Sequence, residues 1–366
     1  MFLALREMKH AKFRYLLIGL IMVLIAWLVL FVSGLAKGLS SDNASSIQTL
    51  NANYLIVEKE ANHRLNRSVL FEDTLNNVHE YANENEATPL GIRMATLTKE
   101  GSSKKIDATF FAIDTDSIVA PEVIEGKMIN NETTNEIIVD RSLKDEDFQL
   151  GDRIKDEASG KEFEIVGFTK EQSFSHAPVI HMNFKEWDMI HETNTNKASF
   201  FNTIALNVTD KKAEKISDNV SNIEVITKDE ALKGIPGYQE EQGSLLMMIA
   251  FLFVIAAFVL AVFFYVITIQ KLNQFGVLKA IGAKSSYLAR NIISQVLLLT
   301  VVSLIISIAL TYGMAFLLPS SMPFNLNPSL VLGCSVLFIF VSVIGSLISL
   351  YRVAKIDAIE AIGRAA

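Results

Sequence analysis

The chain is 366 residues long, half of them apolar, with a net charge of −7 and a single cysteine. The length excludes one small domain, and the lone Cys334 excludes an intrachain disulfide. The acidic balance argues against nucleic acid as a partner.

Residues 1–14 form a short basic segment with Arg6, Lys9, Lys12 and Arg14 against Glu7. Residues 15–36 contain no Asp, Glu, Lys or Arg, and about 20 apolar residues are what a helix needs to cross a bilayer. The run is too long for a signal-peptide core and ends in no small-x-small cleavage site, so an uncleaved first transmembrane helix is expected.

Residues 37–241 read as an acidic α+β domain inserted after that helix. Ser40–Gln48 continues the first span as a polar helix. Tyr54–Glu58, Ile106–Ile113, Glu136–Val139 and Asn202–Val208 have strand character, and Ser68–Asn85 and Lys211–Val220 have helical spacing. Leu150–Ile154 and Phe163–Phe168 flank a Ser159-Gly160 turn and predict a hairpin. His176 and His181 bracket four residues and read as polar groups at strand ends.

The next uncharged runs predict three further spans. Helix two covers 242–270 and a cytoplasmic segment covers 271–290. The run 291–351 is long enough for two helices, and Pro319, Pro323 and Pro328 with Asn325 and Asn327 split it. Helix three is then 291–318, an outer turn 319–328, helix four 329–351 and a cytoplasmic tail 352–366. The fold class is therefore a four-helix membrane protein with one α+β extracytoplasmic domain between helices 1 and 2.

Charge predicts the orientation, because Lys and Arg collect on the cytoplasmic side. Segments 1–14, 271–290 and 352–366 together carry eleven basic and three acidic residues, net +8, so with the chain at −7 the remainder carries −15. Both termini are expected inside, the large domain outside and the chain in the cell membrane.

Catalytic motifs are absent from the sequence. Gly126-Lys127 and Gly160-Lys161 lack the following Ser or Thr and the spaced glycine of a phosphate-binding loop. There is no Gly-x-Ser-x-Gly, and the histidines and Cys334 have no metal-ligand spacing. No catalytic and no metal residue is assigned. Within 271–290, Leu272, Phe275, Leu278 and Ile281 recur at helical spacing and Gly282 ends the pattern, with a second short turn expected up to Arg290. Such an amphipathic segment either lies on the membrane surface or enters a partner's groove.

Gln274-Phe-Gly-Val-Leu-Lys-Ala-Ile-Gly-Ala-Lys284 resembles the coupling-helix signature of the FtsX-like, or MacB-like, mechanotransmission (type VII) ABC transporter permeases. Ala354-Lys-Ile-Asp-Ala-Ile-Glu-Ala-Ile-Gly363 is similar to their C-terminal motif, with Ala358 where proline is frequent. Gly151-Asp-Arg-Ile154 and Phe163-Glu-Ile-Val-Gly167 resemble their outer domain. Several strings resemble the HrtB-type haem-efflux permeases of Gram-positive bacteria: Lys12-Phe-Arg-Tyr15, Phe31-Val-Ser-Gly-Leu-Ala-Lys-Gly-Leu39, Tyr238-Gln-Glu-Glu-Gln242, Met322-Pro-Phe324 and the residues from Phe263 to Lys271.

The resemblance implies a homodimer in the bilayer, driven by two copies of a separate cytoplasmic ATPase. ATP would bind only in that partner, and no cofactor would be held permanently. Leu272, Phe275, Gly276, Leu278, Lys279, Ile281 and Gly282 would form the ATPase-coupling surface. Haem is the expected transported ligand, and Tyr238, Glu240, Glu241, Met247 and Met248 are its candidate contacts, since Tyr and Met serve haem iron and a carboxylate is a weak ligand. The same residues have an ordinary reading as a solvated helix start and helix packing. Two other functions fit the layout: a peptide or lipoprotein exporter, for which the acidic pair suits a cationic peptide, and an FtsX-like regulator of an external hydrolase.

Overall fold

The structure, a computed structural model, describes residues 12–191, 199–318 and 322–354. The tail at 355–366, most of the N-terminal segment and part of the expected outer turn lie outside the described residues. The chain divides into two compact units, one comprising Leu39–Gln242 and the other built from the helices on either side of it.

Helix α1 runs Lys12–Gln48, joining the first span to the polar continuation expected at Ser40–Gln48, with one non-helical residue at Ala44. In the sheet unit the elements that follow are β1 (Tyr54–Glu58), β2 (Leu70–Phe71), α2 (Glu72–His79), β3 (Ala87–Lys99), β4 (Lys105–Ile113), β5 (Val123–Gly126) and β6 (Glu136–Asp140). Then come β7 (Arg153–Asp156), β8 (Glu162–Thr169), β9 (Ser173–Phe174), β10 (Ala177–Asn183), α3 (Phe184–His191), β11 (Phe200–Phe201), β12 (Thr203–Leu206), α4 (Asp210–Asn219), β13 (Ile223–Thr227) and α5 (Lys228–Gly234). Eleven strands form one mixed sheet with the main order β13-β1-β12-β3-β4-β10-β6-β8-β5. The β10–β4 and β6–β8 pairs are parallel, and their neighbours are antiparallel.

The predicted hairpin is present as β7 against β8, with Gly160 at φ +72 in the turn. Asp156 closes it. Burial would raise its carboxyl, but hydrogen bonds from Ser159 and from Arg93 Nη2 at 2.5 Å outweigh that and hold it below the usual carboxylate range. Ser68–Asn85 yields only the helix α2 behind a two-residue strand, and β10 carries no alternating pattern because nearly all of its residues are buried. Gly91 in β3 is required by packing: a Cβ there would sit 2.9 Å from both the Ala112 Cβ and the Trp187 ring.

His181 is not at a strand end. It lies inside β10, paired with Phe111 of β4 and Ile138 of β6, and is fully buried. Its Nδ1 has no partner and its ring meets Phe111 edge-on at 6.0 Å. Desolvation penalises the imidazolium and pushes the pKa down from 6.5 to about 3. Between those values the unfolded chain binds a proton that the folded chain refuses. Stability is therefore whole above pH 6.5 and is lost as pH falls, by about 3 kcal/mol at pH 4. Protection factors at the β4 and β10 amides, with the intrinsic exchange rate at each pH divided out, should fall on acidification accordingly, and His181→Leu should flatten that dependence. An unchanged slope in the variant would rule out His181 as the cause.

Four of the described helices are long and apolar enough to cross a membrane. Besides α1 these are α6 (Tyr238–Gln270), α8 (Ser285–Ala315) and α9 (Pro328–Ala354), and the short α7 (Leu272–Ala280) lies between α6 and α8. The expected separate turn up to Arg290 is instead the start of α8, because Ser285 begins a helix that continues without interruption. Hydroxyls join α8 to α1: Ser307 Oγ donates to the Val23 carbonyl at 2.9 Å. In an apolar solvent such small polar residues supply the contact that hydrophobicity cannot. Gly345 lets α9 approach α6, since a Cβ there would sit 3.2 Å from the Ala261 nitrogen.

Candidate functional sites

The first candidate surface is α7. Its end is a Schellman cap in which Ala283 N donates to Leu278 O at 2.9 Å and Gly282 N to Lys279 O at 3.0 Å. The turn demands a left-handed residue, and Gly282 supplies it at φ +96. Ile281 is 77% exposed and Val277, one turn earlier, is 55% exposed. Gly276 is buried, and Leu278 and Lys279 are half-buried. Phe275 is placed differently from the expectation: it is buried to 1% exposure among the helices, so its side chain is core rather than docking surface. The side chain of Leu272 lies outside the described residues. The exposed apolar patch is thus Val277 and Ile281, and Val277 was not singled out from the sequence.

Behind Phe275 lies a polar cluster. Lys271 Nζ donates to Tyr15 Oη at 2.7 Å and to Gln295 Oε1 at 3.1 Å, and Tyr15 Oη donates to the same Gln295 oxygen at 3.1 Å. All three residues are buried.

The second candidate lies at the other end of α6. Glu241 Oε2 accepts from Asn43 Nδ2 at 2.6 Å and lies 3.2 Å from His176 Nε2. The second His176 nitrogen, Nδ1, lies 2.9 Å from Asp42 Oδ2. The imidazole therefore bridges two carboxylates, one from α1 and one from α6. Ser175 and His176 both have positive φ, 54° and 60°, and form a two-residue turn between β9 and β10. That turn is tied to α1 by Ser175 N to Asn43 O at 2.7 Å and by Ser173 N to Ser45 Oγ at 2.9 Å. Tyr238 is engaged too: its hydroxyl accepts from Gln48 Nε2 at 3.4 Å and lies 3.5 Å from Ser40 Oγ. Glu240 is exposed. Met247 and Met248 follow on the same helix, within the membrane unit, and both are exposed. Asp42 and Asn43 were missed from the sequence, and His176 was read there only as a polar group at a strand end. Among the described residues no group of three or more His, Cys, Asp or Glu is arranged to hold a metal ion.

Membrane-length helices interrupted by one sheet domain define a multi-pass membrane protein. Residues 246–358 match the FtsX-like permease C-terminal family. A protein named as hemin transport system permease HrtB, from Staphylococcus haemolyticus, is 34% identical over 99% of both chains. Its namesake from Staphylococcus epidermidis is 32% identical over the same shares. An uncharacterized ABC transporter permease of Mycobacterium tuberculosis is 21% identical over 99% of both chains. The extracellular domain of the ABC-type transporter YknZ is covered in full by 48% of this chain, with a TM-score of 0.36 and 12% identity, a likeness too slight to bear on fold or function. The chain belongs to the FtsX-like ABC transporter permeases, together with the HrtB permeases.

Proposed function

We propose that this permease exports haem or a related tetrapyrrole from the membrane by mechanotransmission, as a homodimer driven by a separate ATPase. The observation that carries this reading is the full-length similarity to permeases named for hemin transport. The termini and the segment with α7 face the cytoplasm, in line with the net +8 of 1–14, 271–290 and 352–366. The sheet domain is outside. ATP binding draws the ATPases together, they displace α7, and the helices carry that displacement to the outer face. Cargo enters sideways from the outer leaflet and meets α6 near Glu241. The exposed apolar residues of α6, among them Phe251, Ile255 and Phe258, fit contact with lipid or with a second copy.

No phosphate-binding loop occurs in the sequence, so the purified chain should hydrolyse no ATP. Hydrolysis should appear on adding the partner ATPase and should rise with haemin in nanodiscs. Hydrolysis by the chain alone would overturn the division of labour. Stimulation by a cationic peptide in place of haemin would favour the peptide-export reading.

A further inference from the structure

The joint between α6 and α7 is one residue long. Lys271 has left the helical ladder, with φ −100 and ψ 2, while its backbone still links both sides: Lys271 N donates to Thr268 O at 3.1 Å and Phe275 N to Lys271 O at 3.0 Å. A force applied to α7 could bend such a joint and go no further. The Lys271 side chain opposes that. It reaches Tyr15 on α1 and Gln295 on α8, and Tyr15 and Gln295 bond to each other, closing a triangle of three helices. Phe275, the buried residue of α7, lines the same small cavity of about 20 Å³ as these three groups.

Burying a lysine here has a cost. An ammonium withdrawn from water is strongly destabilised unless its hydrogen bonds are replaced. An apolar side chain would pack at this depth without that penalty. What the lysine adds is directional connection: three donors on one nitrogen, with acceptors on two other helices. Packed apolar contacts slide, whereas a buried hydrogen-bonded triangle moves as one piece or breaks.

We propose that Lys271, positioned by Tyr15 and Gln295, transmits the displacement of α7 to α1 and α8. The inference rests on the reading of α7 as the ATPase-docking helix. It adds that docking alone moves nothing at the outer face unless this triangle is intact. Lys271 is on this account a positioning residue that touches neither ATP nor cargo.

The test uses the full chain with its ATPase in nanodiscs. A spin label at Leu28→Cys on α1, in a Cys334→Ala background, reports the distance between the first helices of the two copies with and without trapped ATP. The unsubstituted triangle should show a nucleotide-dependent shift. Lys271→Met should keep the ATPase bound and lose the shift. Tyr15→Phe, which deletes one hydroxyl, and Gln295→Leu should each reduce it, and Gln295→Glu, which keeps an acceptor, should retain it. Adding Tyr15→Phe to Lys271→Met should do nothing more. A full shift in Tyr15→Phe and Lys271→Met would overturn the proposal. So would variants whose only change is a lower melting temperature. A complex with the triangle intact that binds ATPase yet shows no shift would overturn the coupling reading itself.

Discussion

Ile281→Asp should release the ATPase and abolish ATP-driven export while leaving the helices folded. The argument starts from exposure. Ile281 contributes almost nothing to this chain's own core, being 77% exposed just before the glycine that ends α7. A partner's groove that receives it would enclose an unpaired carboxylate in the variant. Central apolar contacts at interfaces carry about 2 kcal/mol or more, and an uncompensated buried charge adds to that loss. A penalty of about 3 kcal/mol is roughly a hundredfold in affinity. Leu278→Asp is a poorer test, because Leu278 packs against the helix core and its loss would confuse docking with folding. The measurement is retention of the ATPase on the purified permease, with the melting temperature beside it. Normal retention and export in a well-folded Ile281→Asp would remove α7 as the docking site.

How much of this could be read from the chain depends on what each residue answers to. The spans were legible because the bilayer imposes one rule on every residue between Tyr15 and Ala36, or between Gln242 and Gln270. The β7–β8 hairpin was legible because Gly160 and alternating burial are local signals. Strand β10 was not. Its residues are nearly all buried, so the period of two disappears, and its hairpin with β9 turns on Ser175 and His176 rather than Asn-Gly. Contacts from α1 support that unfavourable turn, and they link residues more than a hundred positions apart.

The candidate sites divide in the same way. The apolar spacing of α7 was legible in the sequence, but spacing alone cannot say which apolar residue faces inward. Phe275 and Ile281 share one helical pattern, yet one is core and the other is surface. Lys271 looked like one more cytoplasmic charge. Only the positions of Tyr15 and Gln295, 256 and 24 residues away, make it a buried tie. His176 likewise gains its meaning from Asp42 and Glu241, which no window of sequence contains.

Glu241→Ala should weaken haemin binding at least tenfold, about 1.4 kcal/mol, and raise haem sensitivity in cells that depend on this permease. The Glu241 carboxylate meets Asn43 and His176 through the same oxygen, Oε2. They fix the carboxylate's orientation before any cargo arrives, and preorganisation of this kind reduces what binding must order. The alternative is a purely structural glutamate that pins α6 to α1 and the β9–β10 turn. The two roles respond differently to Glu241→Gln. An amide oxygen can still accept from Asn43, so a structural role survives with a loss of about 1 kcal/mol or less. A neutral amide is a far poorer partner for ferric iron, so a cargo role does not survive. Tyr238→Phe and Met248→Ala complete the set, the first removing only the hydroxyl near Ser40 and Gln48. Haemin titration followed by the Soret band, with melting temperature on the same samples, separates the outcomes. Loss of the band shift in both Glu241 variants at unchanged melting temperature supports cargo contact. Unaltered haemin affinity in both, in well-folded protein, would leave Glu241 a structural residue and move the search for cargo to cationic peptides.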